Sequence, residues 1–281
     1  MRYGRLPWSA LILTAALCAA CGGSPTQPTP VGTGREIPPI GSSAPTAPSR
    51  PLTKTSYVAF GDSITAGTIT MFNGLLRLVV APQSYPYKLQ AILTGEHGGQ
   101  RIQVYNEGVQ GECAGSDGMG CDDIGSVGTS RLPGVLRADS PQVVLLLQGI
   151  DDLNPPNNAD IPTVIGHLQQ MIGEAQGAGA TVLIGTLLPQ VRGGSRAWSI
   201  DLIQPFNAQL KVMAASAGAT VVDLYTPFAA DLSLIGPDGL HPTAAGYTEM
   251  AQVWANAIDA AFSIPLPKAT SNSPEPLVHR P

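Results

Sequence analysis

Tyr57-Val58-Ala59-Phe60-Gly61-Asp62-Ser63-Ile64-Thr65 opens the folded part of this chain: an unbroken apolar run that stops at a glycine, an acid and a hydroxyl. Such a run suits a strand covered on both faces, as in a parallel sheet, and the polar residues then fall at its carboxyl end. Towards the other end of the chain stands Asp238-Gly239-Leu240-His241-Pro242. A serine hydroxyl is a poor nucleophile until a histidine takes its proton, and the histidine serves only if a third group fixes its tautomer. Asp238 precedes His241 by three residues, so one turn can carry both. The order Ser, Asp, His, with the serine directly after the first strand, differs from the Gly-x-Ser-x-Gly elbow, which is absent. Gly193-Gly194-Ser195-Arg196-Ala197 comes nearest to that elbow and lacks its last glycine. Taken alone, Ser63 reads equally well as the N-cap of the helix that follows.

Outward from this stretch, short apolar runs alternate with longer segments of helical period between Leu52 and Phe262, the signature of an α/β domain. The strand candidates are 56–60, 102–106, 142–147, 181–186 and 220–223. The helix candidates are 85–93, 132–138, 162–176, 200–217 and 243–262, with Gly177, Gly179 and Gly218 where C-terminal caps belong. In such sheets ligands bind beyond the carboxyl ends of the strands. The stretch from Met71 to Val80 is apolar for a loop; it could line an acyl pocket or pack into the core as a short helix. Asp117, Asp122 and Asp123 follow no calcium-loop pattern and read as a solvated loop.

Both ends have compositions that cannot build a core. Residues 1–20 carry Arg2 and Arg5 and then an apolar run from Trp8 to Ala20, too short to span a bilayer and closing in small residues before Cys21: an export signal. Residues 21–51 are rich in Pro, Ser, Thr and Gly, with only Arg35, Glu36 and Arg50 charged, and read as a disordered tether. The domain then runs from 52 to 263, and 264–281 reads as a flexible tail. Once residues 1–20 are removed, 13 basic residues face 20 acidic ones, and no basic stripe appears; nucleic acid is excluded as a partner. Cys113 and Cys121 are the cysteines outside the signal region, and an oxidising compartment would join them as a disulfide. A zinc site is not expected, since no Cys-x-x-Cys spacing or histidine cluster accompanies them.

Two further loops fall at the same sheet edge as Ser63: Asn106-Glu107-Gly108-Val109-Gln110-Gly111-Glu112 after the second strand, and Gln148-Gly149-Ile150-Asp151-Asp152-Leu153-Asn154 after the third. With Gly61-Asp62-Ser63 and Asp238-x-x-His241, these make the chain resemble the SGNH (GDSL) hydrolase family over about residues 56–261. The signal and Cys21 resemble those of bacterial lipoproteins, although Cys18 stands where that group usually has an aliphatic residue. The resemblance implies a flavodoxin-like three-layer α/β/α domain with a five-stranded parallel sheet. Carried over residue by residue, Ser63 is the nucleophile, His241 the base and Asp238 its orienting partner. Oxyanion donors would be the backbone N–H groups of Ser63 and Gly111. The family's third donor is an Asn side chain, and here that position is Asp151. An ionised carboxylate accepts hydrogen bonds and cannot donate one. A protonated Asp151 could donate, burial and the adjacent Asp152 would favour that form, and Asn154 could reach the hole instead.

Asp62 and Asp152 read as supports that hold their loops by accepting backbone N–H bonds. His97, His167 and His279 read as structural or solvated. The expectation is a monomeric esterase or lipase of the bacterial cell envelope, periplasmic or at the cell surface, held to the membrane by lipid on Cys21. It would act on a lipid, simple acyl or acetylated-sugar ester, with no metal or organic cofactor implied. The rival is a non-catalytic envelope surface module that binds an ester or glycan, its turnover lost through Asp151.

Overall fold

Five runs rich in Val, Leu and Ile pair side by side in parallel because each is apolar on both faces and the segments between them are amphipathic. The structure, a computed structural model, describes residues 50–71, 76–115, 127–154 and 159–264. The strands are β1 (Ser56–Gly61), β4 (Gln103–Gly108), β5 (Val143–Leu147), β6 (Thr181–Gly185) and β7 (Thr220–Val222), in the order β4-β1-β5-β6-β7. Every residue of β5 is buried. The order reverses at β1, which lies between β4 and β5, so the loops after these three strands share one edge. The helices that cover the sheet are α2 (Tyr85–Glu96), α3 (Gly128–Asp139), α5 (Ile161–Gly177), α6 (Ile203–Ser216) and α8 (Ala244–Phe262). Helix α2 packs on α8, while α3, α5 and α6 pack in series. Short turns α1 (Ser63–Ala66), α4 (Ile150–Leu153) and α7 (Tyr225–Ala230) complete the set.

All five expected strands and all five expected helices are present, with shifted ends. Helix α3 starts at Gly128, four residues before the apolar Leu132, because the N–H groups of Gly128 and Thr129 each donate to the 113–114 backbone at 2.9 Å. That long-range capture leaves no local mark in the sequence. Helix α6 starts at Ile203 because Ser199, just before it, is tied elsewhere. Gly179 and Gly218, at φ 85° and 70°, take the left-handed conformation expected after helices α5 and α6.

The stretch around Met71 to Val80 is neither a core helix nor a buried loop. It contributes to an antiparallel hairpin of β2 (Thr68–Met71) and β3 (Leu76–Val79). Opposed residues share a face, so Ile69, Leu78, Met71 and Leu76 form one apolar face and Thr68, Val79, Thr70 and Arg77 the other. Met71, Leu76, Leu78 and Val79 are exposed.

The ends of the described domain are joined. Leu52 bridges Ser263, Arg50 pairs with Asp259 at 3.1 Å, and the Ile264 N–H donates to Pro51 O at 2.8 Å. Arg50 and Pro51, assigned from composition to the tether, and Ile264, assigned to the tail, are thus bonded to the domain. Residues 1–49 and 265–281 lie outside the described residues.

What positions the site is crowding at the end of β1. A Cβ on Gly61 would stand 2.2 Å from both Leu147 O and Thr65 Oγ1, and one on Gly108 would stand 2.1 Å from Ala66 N. Turn α1 therefore lies directly against the backbone of two strands. Gly61→Ala is expected to destabilise the domain by about 1–3 kcal/mol through overpacking, read as a lower urea midpoint at unchanged slope. An unchanged midpoint would mean that the contact is not tight.

Candidate active site

Turn α1 presents Ser63 because the residue before it caps the turn. Asp62, the N-cap, accepts from Ile64 N–H at 2.8 Å, so the capping role that Ser63 could have filled belongs to its neighbour. Ser63 Oγ lies 2.9 Å from His241 Nε2, and His241 Nδ1 lies 2.6 Å from Asp238 Oδ2. The other Asp238 oxygen accepts from the N–H groups of Leu240 (3.1 Å) and His241 (3.0 Å), which fixes the carboxylate within its own turn. Burial alone would raise the Asp238 pKa, but the His241 ring N–H, the His241 charge and these backbone donors outweigh it and hold it below the ordinary value. A carboxylate so placed takes the proton on Nδ1 and leaves Nε2 bare to accept from the serine. All three side chains are buried.

Two tyrosines tie this corner to the helices. Tyr85 Oη, on α2, lies 3.2 Å from Thr65 Oγ1, and Tyr247 Oη, on α8, donates to Thr68 O at 2.6 Å. Helix α8 follows His241 directly, so the same helix that carries the histidine segment grips the strand leaving Ser63.

The loop after β4 is fixed from below. Asp152 accepts from Ala114 N–H at 2.8 and 3.0 Å and from Gly115 N–H at 3.4 Å, the supporting contacts expected of it. Glu112, fully buried, receives Arg131 through Nε and Nη2, each at 2.7 Å; Arg131 also reaches Glu107 and lies over the Phe60 ring at 4.0 Å. Gln148 Nε2 donates to Glu112 O at 2.9 Å. Gly111, at φ 74°, takes the turn above this frame. The sequence carries no sign of the Glu112–Arg131 pair, because its members lie 19 residues apart on a loop and a helix.

Asp151 is the second residue of α4, half-buried, and its pKa is pushed up to about 7, first by burial and then by Asp152; Arg196 and Arg77 oppose the shift. Asp152 is likewise raised, to about 6, chiefly by burial. Asp62 is raised well above the usual carboxylate range by its complete burial and by Asp151, against the pull of the Ile64 N–H. Asn154 Oδ1 accepts from Ser199 Oγ at 2.5 Å, while its buried Nδ2, the group that would donate to an oxyanion, has no hydrogen-bond partner among the described residues.

Ser199 ends a strap, Gln190 to Ser199, that sequence reasoning missed. Its Val191 N–H donates to Gly239 O at 2.9 Å, its Arg196 N–H to Asp238 O at 2.8 Å, and Ser199 Oγ to Leu153 O at 2.7 Å. A Cβ on Gly194 would stand 2.5 Å from both Asp238 O and Gly239 Cα. In the elbow-like Gly193-Gly194-Ser195, Gly194 thus serves close backbone packing and Gly193 a left-handed turn at φ 87°, and Ser195 is exposed.

His97 is a buried structural residue, its Nδ1 2.5 Å from Arg50 O, and His167 packs against Gly115. Cys113 is buried. Cys21, Cys121, His279 and the Asp117, Asp122 and Asp123 cluster lie outside the described residues. Among the described residues no three His, Cys, Asp or Glu side chains gather as a metal ion would require.

No curated protein sequence matches the chain. Solved structures do. A carbohydrate acetylesterase from Sinorhizobium meliloti is 19% identical, with a TM-score of 0.63 over 74% of this chain and 100% of that one. A lipase/acylhydrolase from Enterococcus faecalis is 21% identical, with a TM-score of 0.61 over 76% and 100%. An aryl esterase from M. smegmatis is 17% identical, with a TM-score of 0.61 over 73% and 99%. Likeness at this identity establishes the shared fold. Residues 59–248, from within β1 to α8, match the GDSL-like Lipase/Acylhydrolase family. That span exceeds half of the chain and holds Ser63, Asp238 and His241, and the chain accordingly belongs to this family of serine esterases and hydrolases.

Proposed function

We propose that the protein cleaves a carboxylic ester through an acyl-enzyme on Ser63. The observation that carries the reading is the 2.9 Å approach of Ser63 Oγ to a His241 ring whose far side is held at 2.6 Å by Asp238. Ser63 Oγ attacks the carbonyl carbon as its proton passes to His241 Nε2. The tetrahedral intermediate collapses, the bond to the leaving alkoxide breaks, and His241 returns the proton to it. Water then repeats the cycle on the acyl-enzyme, releasing the acid. The N–H groups of Ser63 and Gly111 serve as oxyanion donors, with Asp151 completing the hole while it is protonated. Lipid, simple acyl and acetylated-sugar esters all fit this chemistry, and acetylesterase, acylhydrolase and aryl esterase neighbours of the same fold support ester substrates.

The reading extends to the termini. The protein is proposed to be anchored in a bacterial envelope by lipid on Cys21, with Cys113 joined to Cys121 and no partner chain required. Membrane fractions are expected to hold the wild type and to lose Cys21→Ser. Non-reducing peptide mapping is expected to find the 113–121 link. A soluble wild type with an unmodified Cys21, or two alkylatable thiols in envelope-isolated protein, removes the respective claim.

Ser63→Ala and His241→Ala are each expected to lower ester turnover by about 10⁴ or more while leaving the far-UV spectrum and melting curve intact, since nucleophile and base act as a unit. A Ser63→Ala protein with most of its wild-type rate would refute the mechanism.

Asp151 predicts a pH effect of definite sign. The form that donates to an oxyanion is the protonated one, and it is lost as pH rises through about 7. The wild-type rate is expected to decline across that range. Asp151→Asn keeps a donor at every pH, so it should lack the decline and exceed the wild type by about ten-fold on the alkaline side. An Asn variant slower at every pH, with its fold intact, would show that Asp151 acts in another way.

A further inference from the structure

Two arginines from distant parts of the chain stand on segments that flank the one carrying His241. Arg196 rides on the strap, where its own N–H is bonded to Asp238 O and where Ser199, three residues on, is bonded to Leu153 and Asn154. It is thereby held between the segment that carries His241 and the one that carries Asp151. Its guanidinium lies 5.4 Å over the Trp198 ring. Arg77, on β3, opposes Thr70 on the hairpin face that meets Gly236: a Cβ there would stand 2.8 Å from Thr70 Oγ1. Gly236 in turn donates to His241 O at 2.7 Å. Arg77 therefore flanks the histidine loop from the hairpin side. The two cations act on each other: burial first, then Arg77, lowers the Arg196 pKa, and both pull on Asp151.

Neither forms an ion pair among the described residues, whereas Arg50, Arg131 and Arg192 each do. The acids close by are already committed. Glu112 holds Arg131, Asp152 holds the N–H groups of Ala114 and Gly115, and Asp62 caps turn α1 through the Ile64 N–H. Asp238 serves His241, and Asp151 is itself partly protonated at neutral pH. The carboxylates of Asp238 and Asp151 offset the Arg196 charge in part, but among the described residues neither forms an ion pair with it, and two like charges so placed favour a further anion between them. In a chain with 15 basic residues against 20 acidic ones, such a pair at the cleft is out of keeping with the rest of the surface.

We propose that Arg196 and Arg77 receive an acidic group, a carboxylate or phosphate carried by the ester itself, so that Ser63 acts on anionic esters in preference to neutral ones. The planar guanidinium fork matches either oxyanion with two parallel hydrogen bonds. This specificity rests on the hydrolase reading above.

Matched probes test it. One pair is 4-acetoxybenzoate against its methyl ester, with the acid on the alcohol side. A second is mono-4-nitrophenyl succinate against 4-nitrophenyl butyrate, with the acid on the acyl side. The third is 4-acetoxyphenyl phosphate against phenyl acetate. At low salt, kcat/KM is expected to favour the acidic member of at least one pair by about ten-fold, chiefly through KM, and the ratio should shrink as salt rises. In the Arg77→Gln/Arg196→Gln double variant the ratio should fall to about one, while Arg196→Lys retains part of it. A wild-type ratio of one for all three pairs, or a preference that survives the double variant, overturns the proposal. Calorimetry of the acidic probes with Ser63→Ala needs no turnover. Binding that vanishes when both Gln substitutions are added supports the anion site even in a protein that hydrolyses no probe, in which case the hydrolase reading alone falls. Absence of binding by all three acidic probes refutes the anion site.

Discussion

The arrangement of the site depends on how closely backbone meets backbone at the carboxyl end of β1. Gly61 and Gly108 leave no room for a Cβ: the end of β1 is pressed between Leu147 O of β5 and Thr65 of turn α1, and Ala66 N lies against the end of β4. The serine is thus indexed to the ends of three neighbouring strands. Because β1 is the strand at which the sheet order reverses, Ser63 stands at the switch point, the place where open α/β sheets bind their ligands. Side-chain packing could shift by tenths of an ångström without effect on such a site, whereas a backbone contact of this kind has nowhere to relax.

The other half of the site arrives from the far end of the chain and is held by few but well-placed bonds. Tyr247 on α8 grips Thr68, Gly236 donates to His241 O, and the strap joins Asp238 to Leu153. Each such bond contributes only about 0.5–1.5 kcal/mol net, yet together they fix orientation, which is what proton transfer between Ser63 and His241 needs. The same burial that orders these groups governs their charges. Asp238, surrounded by donors, is held below the ordinary carboxylate pKa; Asp62, with one backbone donor, is pushed above it. Carboxylates in one small region are therefore shifted in opposite directions because their donors differ.

Much of this was legible in the chain itself. Continuous Val, Leu and Ile runs mark strands buried on both faces, and all five fell where expected; Gly61-Asp62-Ser63 and Asp238-x-x-His241 identified side chains that do meet. What escaped was set by contacts distant in sequence. The β2–β3 hairpin was misread because its apolar residues point to solvent, so burial did not explain their composition. The Glu112–Arg131 pair and the start of α3 follow from bonds between a loop and a helix. Arg196 lay inside a stretch weighed only as a failed nucleophile elbow. Its glycines looked like a motif, and their actual tasks are a left-handed turn at Gly193 and close packing of Gly194 on Gly239.

The joined ends of the domain give it a polarity. Leu52 and Ser263 meet near the starts of β1, β4 and β5, where Gln100 and Gln142 bond the entering chain, whereas Ser63 lies past the opposite ends of those strands. At about 3.3 Å per residue, six-residue β1 sets the two poles roughly 20 Å apart. Chain that leaves the domain at Arg50 or at Ile264 therefore does so from the pole opposite Ser63.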